Sequence, residues 1–320
     1  MQIIDILKNR TKTLISLEIT PPEKGRSVEE IFTTVNKLLP YQPAFINITY
    51  HQQQIVYEEQ GDKIVKIPRR KKPGTIGICA ALYNKFKIET VPHLICGGFS
   101  KYETEDALID LNYLGFKNLF ALRGDPLTGM KKFIPESAGH SYAAELVEQI
   151  SHLNKGKYLE EIDNAIATNF CVGVAGYPEK HYEAPNIDAD IKHLKTKIDN
   201  GASYIITQMV FSLEAFKAYV KKVRLAGITV PIIPGIKILT NKKQLDLIPS
   251  LFHIDLPQVL VQAIKQAKDN KAAQEVGIQF TINFCQELIK LNVPCLHFYT
   301  MGKGDVVAET LKRLQQQALI

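Results

Sequence analysis

The chain has 320 residues, 45% of them apolar and 22% charged, with a formal net charge of +6. That length suffices for one large domain or two ordinary ones, and no apolar run approaches the roughly 20 residues that span a bilayer. The mild positive balance suits an anionic small ligand but falls short of a nucleic-acid footprint, and five scattered cysteines with no CxxC or Cys/His cluster argue against a disulfide framework and structural zinc.

The start, MQIIDILKNR, reads as a short apolar helix and lacks the charged-then-apolar order of a signal peptide; a cytoplasmic location is the expectation. Residues 14–20 (LISLEIT) form a first strand, ended by Pro21 and Pro22. A helix follows from Ser27, where Ser27 and Glu30 have the spacing of a capping box. Residues 44–50 (AFINITY) are a second strand. The next stretch, 51–74, breaks the rhythm and suggests a small hairpin around Gly61 and Asp62. A helix at 76–83 leads to a third strand at 90–96 (TVPHLIC). The helix 103–114 stops at Gly115, and 118–123 is a fourth strand. Helix 141–153, strand 170–176 (FCVGVAG), helix 188–200, strand 204–208 (YIITQ), helix 213–225 and strand 231–236 follow. Helical stretches at 242–251, 257–268 and 271–291 precede the eighth strand, 295–300 (CLHFYT), and a last helix at 305–317.

Short apolar strands alternating with helices predict a parallel sheet, and eight such units predict a closed (β/α)₈ TIM barrel in one α/β domain. The rival, an open doubly wound sheet, lacks a GxGxxG after the first strand. In a barrel, ligands bind where the strands end. The stretch 118–126, NLFALRGDP, shows this best: an unalternated apolar run ends in Arg123, Gly124, Asp125 and Pro126. The other strand ends offer Glu18, Thr49 with Tyr50, His93, Tyr177 with His181, Gln208 and Thr300.

Glu18 is the sharpest of these. A carboxyl between Leu17 and Ile19, in a strand otherwise nearly all apolar, tends to have a raised pKa and can act as a general acid near neutral pH; the alternative is a structural carboxylate paired with a lysine. His93 reads either as a satisfied core histidine or as a ligand-facing one, without partners at metal spacing. Residues 69–72 (RRKK) suggest a phosphate or RNA contact or a solvated loop, and no aromatics interleave with them. Two competing functions stand on these residues. One is a metal-dependent barrel lyase or hydrolase using Glu18 and Asp125, which the absence of a ligand cluster disfavours. The other is a basic binding protein acting through 69–72.

Taken together, LEITPP (17–22), ITY (48–50), PHLIC (92–96), ALRGDP (121–126), YPEKH (177–181), ITQ (206–208), IIPGI (232–236) and HFYT (297–300) resemble, in order and spacing, the methylenetetrahydrofolate reductases of bacterial type over nearly the whole chain. The resemblance implies a barrel that binds FAD and uses NADH or NADPH to reduce 5,10-methylenetetrahydrofolate to 5-methyltetrahydrofolate. Kinetics would be ping-pong, and the product would supply methyl groups for methionine synthesis. It implies small-molecule substrates, no metal, no nucleic-acid or membrane partner, and a homo-oligomer.

By the same resemblance Glu18 is the proton donor, and Asp125 is an acid near flavin and pterin that favours a cationic folate iminium. The FAD contacts would be Thr49, Tyr50, His93, Arg123, Gly124, Asp125, Ala143, Tyr177, His181, Ala184, Asp190, His193 and Lys197, with the cations Arg123 and Lys197 suited to a pyrophosphate. Substrate contacts would be Asp125, Gln208, Gln244 and Lys303. The chain departs from the family pattern at several places. Ile19 and Thr20 follow the glutamate, Thr196 replaces an arginine, and His193 replaces an asparagine. Lys303 replaces an arginine, losing its bidentate fork. Ile248 stands where some members place a stacking aromatic, and Lys237 interrupts an apolar continuation. The 320 residues are expected to be the catalytic barrel alone, with an insertion at 51–75 after the second strand and no regulatory domain.

Overall fold

The computed structural model describes residues 1–127 and 129–320. Eight parallel strands close into a barrel: β1 (Leu14–Ile19), β2 (Phe45–Ile48), β5 (Thr90–Ile95), β6 (Asn118–Leu122), β7 (Cys171–Gly176), β8 (Tyr204–Met209), β9 (Ile232–Ile236) and β10 (Cys295–Tyr299). Their hydrogen-bonded order is β1-β10-β9-β8-β7-β6-β5-β2, closing from β2 back to β1. The remaining two strands, β3 (Gln54–Gln60) and β4 (Lys63–Arg69), pair antiparallel with each other as a hairpin. Its turn lies at Gly61 and Asp62, and Gly61, at φ +62°, supplies the left-handed first position of a two-residue hairpin turn.

Helices α2 (Glu29–Leu38), α3 (Thr75–Phe86), α4 (Lys101–Tyr113), α5 (Ala143–Leu153), α6 (Ile187–Asp199), α7 (Leu213–Leu225), α8 (Gln244–Phe252), α9 (Gln258–Gln266), α10 (Asn270–Lys290) and α11 (Gly304–Gln316) follow α1 (Ile3–Lys8) along the chain. Outward strand residues such as Leu17, Ile46, Leu119 and Val172 pack with Val35, Leu108, Leu146 and Leu288 of the helices in one large core. A second core fills the lumen, with Phe45, Val91, Phe120, Tyr204, Ile206 and Ile233. Ile3 and Leu7 of α1 belong to this lumenal core, so α1 plugs the amino end of the barrel. Its docking is fixed by polar ties: the Ile3 N–H donates to Asn118 Oδ1 at 2.8 Å, and Asn118 Nδ2 donates to the Met1 carbonyl at 2.8 Å.

Local signals explain most helix starts. Asn186, Ser212 and Asp269 each accept an N–H bond from the first turn they cap. The box expected at Ser27 and Glu30 does not form: α2 begins one residue later than that pattern needs, with Val28 at the N-cap, and Ser27 Oγ accepts from the Glu29 N–H instead. The reciprocal box stands at Ser100 and Glu103, opening α4. Among the described residues, no helix is long and apolar enough to cross a membrane.

Candidate active site

Most of the expected site residues lie at or beside the carboxyl ends of the strands, in three groups, with Asp190 and Lys197 on α6. The first surrounds Glu18 on β1. Its carboxyl is 17% exposed and lies 3.8 Å from His93 Nε2 on β5. Burial without a close compensating charge pushes the Glu18 carboxyl up to about 8. His93 is driven the other way, to about 3, by burial first and by the neighbouring His297 and His51 second, so it is a neutral imidazole. Asn47 Nδ2 and His93 Nε2 lie 3.0 Å apart, and Thr75 Oγ1 donates to the His93 carbonyl. Thr49 Oγ1 contacts His51 Nε2 at 3.0 Å. Tyr50 packs edge-on against Phe99, and the Arg70 guanidinium lies over both rings. Arg69 pairs with Glu58. The basic stretch 69–72 is thus partly tied into the protein rather than free in solvent.

The second group spans β6, β7 and α6. Gly124 adopts φ +87°, a left-handed turn that a side chain would strain, and turns the chain from Arg123 to Asp125. Asp125 is exposed, and its charge reaches Tyr177 and Tyr182. Arg123 pairs with Glu183 at 2.5 Å and lies over the Phe133 ring. The Tyr177 and His181 rings meet edge-on at 4.8 Å. The His181 N–H donates to Asp190 Oδ2 at 3.1 Å. Burial, then the Arg123 charge, holds the His181 imidazole down to about 4. Lys197 Nζ donates to the Ala175 carbonyl at 2.7 Å; burial lowers its ammonium to about 8, against the opposing pull of Asp190. Ala184 is buried beside this loop, where its N–H donates to the His181 carbonyl.

The third group lies towards β8, β9 and β10. The ladder between β8 and β9 shifts register between Ile206 and Met209, a bulge that re-aims the intervening Gln208. Gln208 Oε1 accepts from the Met209 N–H, and Gln244 Oε1 accepts from the Thr240 N–H at 2.7 Å. Both side-chain amides are therefore oriented with their NH₂ groups left over. Lys303 is exposed at the start of α11, and Lys237 is buried just after β9. Ile248 is buried in a satellite core with Met209, Phe211 and Leu245.

Two expected residues stand apart. Ala143 is the first residue of α5. His193 is exposed one turn along α6 from Asp190; its charge acts on Asp190, but it makes no side-chain hydrogen bond among the described residues. Conversely, Asn47 and Glu183 contribute to the site without having been singled out. Asn47 carries the signal that marked Glu18, a polar residue within an apolar strand. The pairing of Glu183 with Arg123 across 60 residues leaves no trace in spacing. Thr300 is not a free group at the mouth: it is buried, and its Oγ1 donates to the Glu18 backbone carbonyl at 2.8 Å.

The fold is a (β/α)₈ barrel whose carboxyl face gathers buried ionisable and polar groups. The chain belongs to the methylenetetrahydrofolate reductase family, whose family model matches residues 2–315. It is 31% identical over 308 residues to methylenetetrahydrofolate reductase 1 of Schizosaccharomyces pombe, covering 95% of this chain and 46% of that protein. It is 27% identical over 299 residues to the 5,10-methylenetetrahydrofolate reductase of Buchnera aphidicola, covering 93% of this chain and 90% of that one. The chain thus spans about half the length of its eukaryotic relative. Among solved structures, a Clostridium thermocellum protein that binds two copies of 5-methyl-5,6,7,8-tetrahydrofolic acid shares the fold, with a TM-score of 0.58 at 16% identity over 98% of this chain and 99% of that one. Among the described residues, no group of three or more His, Cys, Asp or Glu side chains could hold a metal ion.

Proposed function

We propose that the protein reduces 5,10-methylenetetrahydrofolate to 5-methyltetrahydrofolate, with FAD as its bound cofactor and NADH or NADPH as the reductant. The observation that carries this reading is Glu18, a largely buried carboxyl whose pKa burial raises to about 8, at the mouth of a barrel of this family. The residues present fit a flavin dinucleotide. Arg123 and Lys197 supply cations on the β6–β7 side. Among the described residues the Tyr50 hydroxyl and Gln52 Oε1 are buried without partners, a hydrogen-bonding capacity that the polar edge of a ring system would use. Bound FAD would supply the hydride chemistry.

The chain's own residues would do the rest. Glu18 would hold its proton at the carboxyl oxygen and deliver it to a bridge nitrogen of the folate, opening the five-membered ring to an iminium. Because His93 stays neutral, it adds no positive charge to draw that proton off early. The Asp125 carboxylate at the rim would favour the cationic iminium through charge. The Gln208 and Gln244 amides would orient the pterin and its benzamide arm, since their oxygens are already engaged.

The test is a visible spectrum of the purified protein, taken without oxygen. Flavin absorption should bleach on adding NADH and return on adding methylenetetrahydrofolate. With Glu18→Gln the bleaching should persist, while the return slows by about 10²–10⁴-fold, the usual worth of a general acid. A colourless protein that takes up no FAD would overturn the reading, and a Glu18→Gln protein with normal folate turnover would overturn the role of Glu18.

A further inference from the structure

The amino end of the barrel, opposite the mouth, carries a cavity of about 680 Å³ between α1, α7 and the loops that lead into β9 and β10. That is the size of a small-molecule site, about 300–1,000 Å³. Leu7, Phe216, Val220 and Ile232 give it apolar walls. Lys8, Arg10, Lys217, Lys221 and Arg224 also line it, and no acid does. Lys217, Lys221 and Arg224 share one stripe of α7, where like charges four residues apart repel. The adjacent Lys222 pairs with Asp188 at 2.7 Å, whereas none of the lining cations forms an ion pair among the described residues. The two guanidiniums are held by the strand-entry loops instead. Arg224 Nη1 donates to the Ile228 and Val230 carbonyls at 2.7 and 3.0 Å. Arg10 Nη2 donates to the carbonyl and Oδ1 of Asn292, both at 3.1 Å. Each therefore keeps Nε and its other Nη without a partner among the described residues, a fork suited to phosphate or carboxylate oxygens.

We infer that this cavity binds a phosphate-headed amphiphile, with its hydrocarbon chain on the apolar walls and its phosphate among the α7 stripe and the two guanidiniums. Phosphate is favoured over carboxylate because this many uncompensated cations exceed what one negative charge neutralises. Hydrocarbon is favoured over a nucleobase because Thr229 and Asn292 are the only uncharged polar residues of the lining, and Asn292 Oδ1 is taken by Arg10. A base would be enclosed with polar edge atoms unmatched. Free monomers and bilayer phospholipids both carry this chemistry. The cavity lies at the far end of the barrel from Glu18, so the inference is independent of the folate reading.

The experiment is calorimetric titration of the 320-residue chain as purified, for wild type and Lys217→Gln/Lys221→Gln. The probes are dodecyl phosphate below its micelle concentration, dodecyl maltoside and inorganic phosphate. Dodecyl phosphate should bind wild type saturably and at least about tenfold more tightly than either other probe, since it alone engages both walls and cations. The double variant should lose about tenfold of that affinity. Its ligand-free melting temperature should not fall, because both lysines are exposed. A variant that binds dodecyl phosphate as wild type does would overturn the inference. So would maltoside binding as tightly, which means adsorption of the chain alone, or inorganic phosphate binding as tightly, which means a plain anion site. Where dodecyl phosphate does bind as expected, pelleting of the protein with vesicles of phosphatidic acid and phosphatidylcholine assigns the head to a bilayer, and monomer binding without pelleting assigns it to a free amphiphile.

Discussion

The two halves of the barrel lumen differ in polarity. Along the arc β10–β1–β2–β5 the buried interior carries His297, Ser16, Asn47 and His93 beside the apolar Phe45 and Val91, with Glu18 above them. Along the arc β6–β7–β8–β9 it carries Phe120, Gly173, Tyr204, Ile206 and Ile233. The polar arc is incompletely satisfied. Cys295 Sγ donates to Ser16 Oγ, which lies 2.8 Å from His297 Nδ1, yet His297 Nε2 and Asn47 Oδ1 have no partner among the described residues. The apolar arc is tightly filled, with Phe120 tilted on His93 at 4.9 Å and a Cβ at Gly173 placed 2.3 Å from the Tyr204 ring. One side thus positions ionisable groups while the other removes water from around them. Glu18 keeps its proton because of both: the polar arc places the carboxyl, and the apolar arc lowers the dielectric it feels.

The largest effect should come from breaking the apolar side. Phe120 is buried and touches both arcs, through His93 and Tyr204. Phe120→Ala should cost about 3–5 kcal/mol of stability, the range for a large aromatic removed from a core, read as a lower urea midpoint. The cavity opens beside His93, so water would reach the Glu18 carboxyl and the pH limit of the proposed folate reduction should move down. A loss below about 1 kcal/mol would mean that the lumen collapses freely and that the contrast between the arcs is not rigid.

A smaller effect tests the polar side directly. Below pH 4.5, folded and unfolded protein both hold a proton at Glu18. Between 4.5 and about 8 only the folded protein does, so unfolding releases it more readily as the pH rises. Wild type should therefore lose stability relative to Glu18→Gln through that window, by at most about 1.4 kcal/mol per pH unit, the worth of one proton. Above pH 8 the difference should level off. Urea unfolding of the pair at several pH values measures it, and parallel curves from pH 5 to 8 would show that Glu18 ionises normally in the folded protein.

The strands of both arcs were legible because a strand buried on both faces reads as an unbroken apolar run, and Gly or Pro marks where it stops. The helix at 213–225 matches its expected bounds for the same reason, with Ser212 capping one end and Gly227 just past the other. The acid at Glu18 was legible as a charge out of place. Asn47 obeys the same rule, yet within FINI an amide is easily passed over as strand variation. Pairings between distant segments were not legible. Arg70 rests on Tyr50 and Phe99, and Arg123 meets Glu183, only because the barrel brings their loops to one rim. The capping pattern misled once: S-x-x-E occurs at both Ser27 and Ser100, and only the second has the helix start that lets both halves bond.

The smallest test asks whether the two arcs need exact registration at the mouth. Thr300 Oγ1 donates to the Glu18 carbonyl at 2.8 Å, and the Thr300 N–H donates to the same oxygen at 3.2 Å. The end of β10 therefore grips the backbone that carries the acid. Thr300→Val keeps the shape and the N–H bond and removes only the hydroxyl, so stability should fall by about 1 kcal/mol. If the polar arc sets the position of Glu18 through this grip, the rate of flavin return with methylenetetrahydrofolate should fall while bleaching by NADH does not. If both rates hold, the N–H bond alone fixes the acid, and the hydroxyl serves only to satisfy a buried carbonyl.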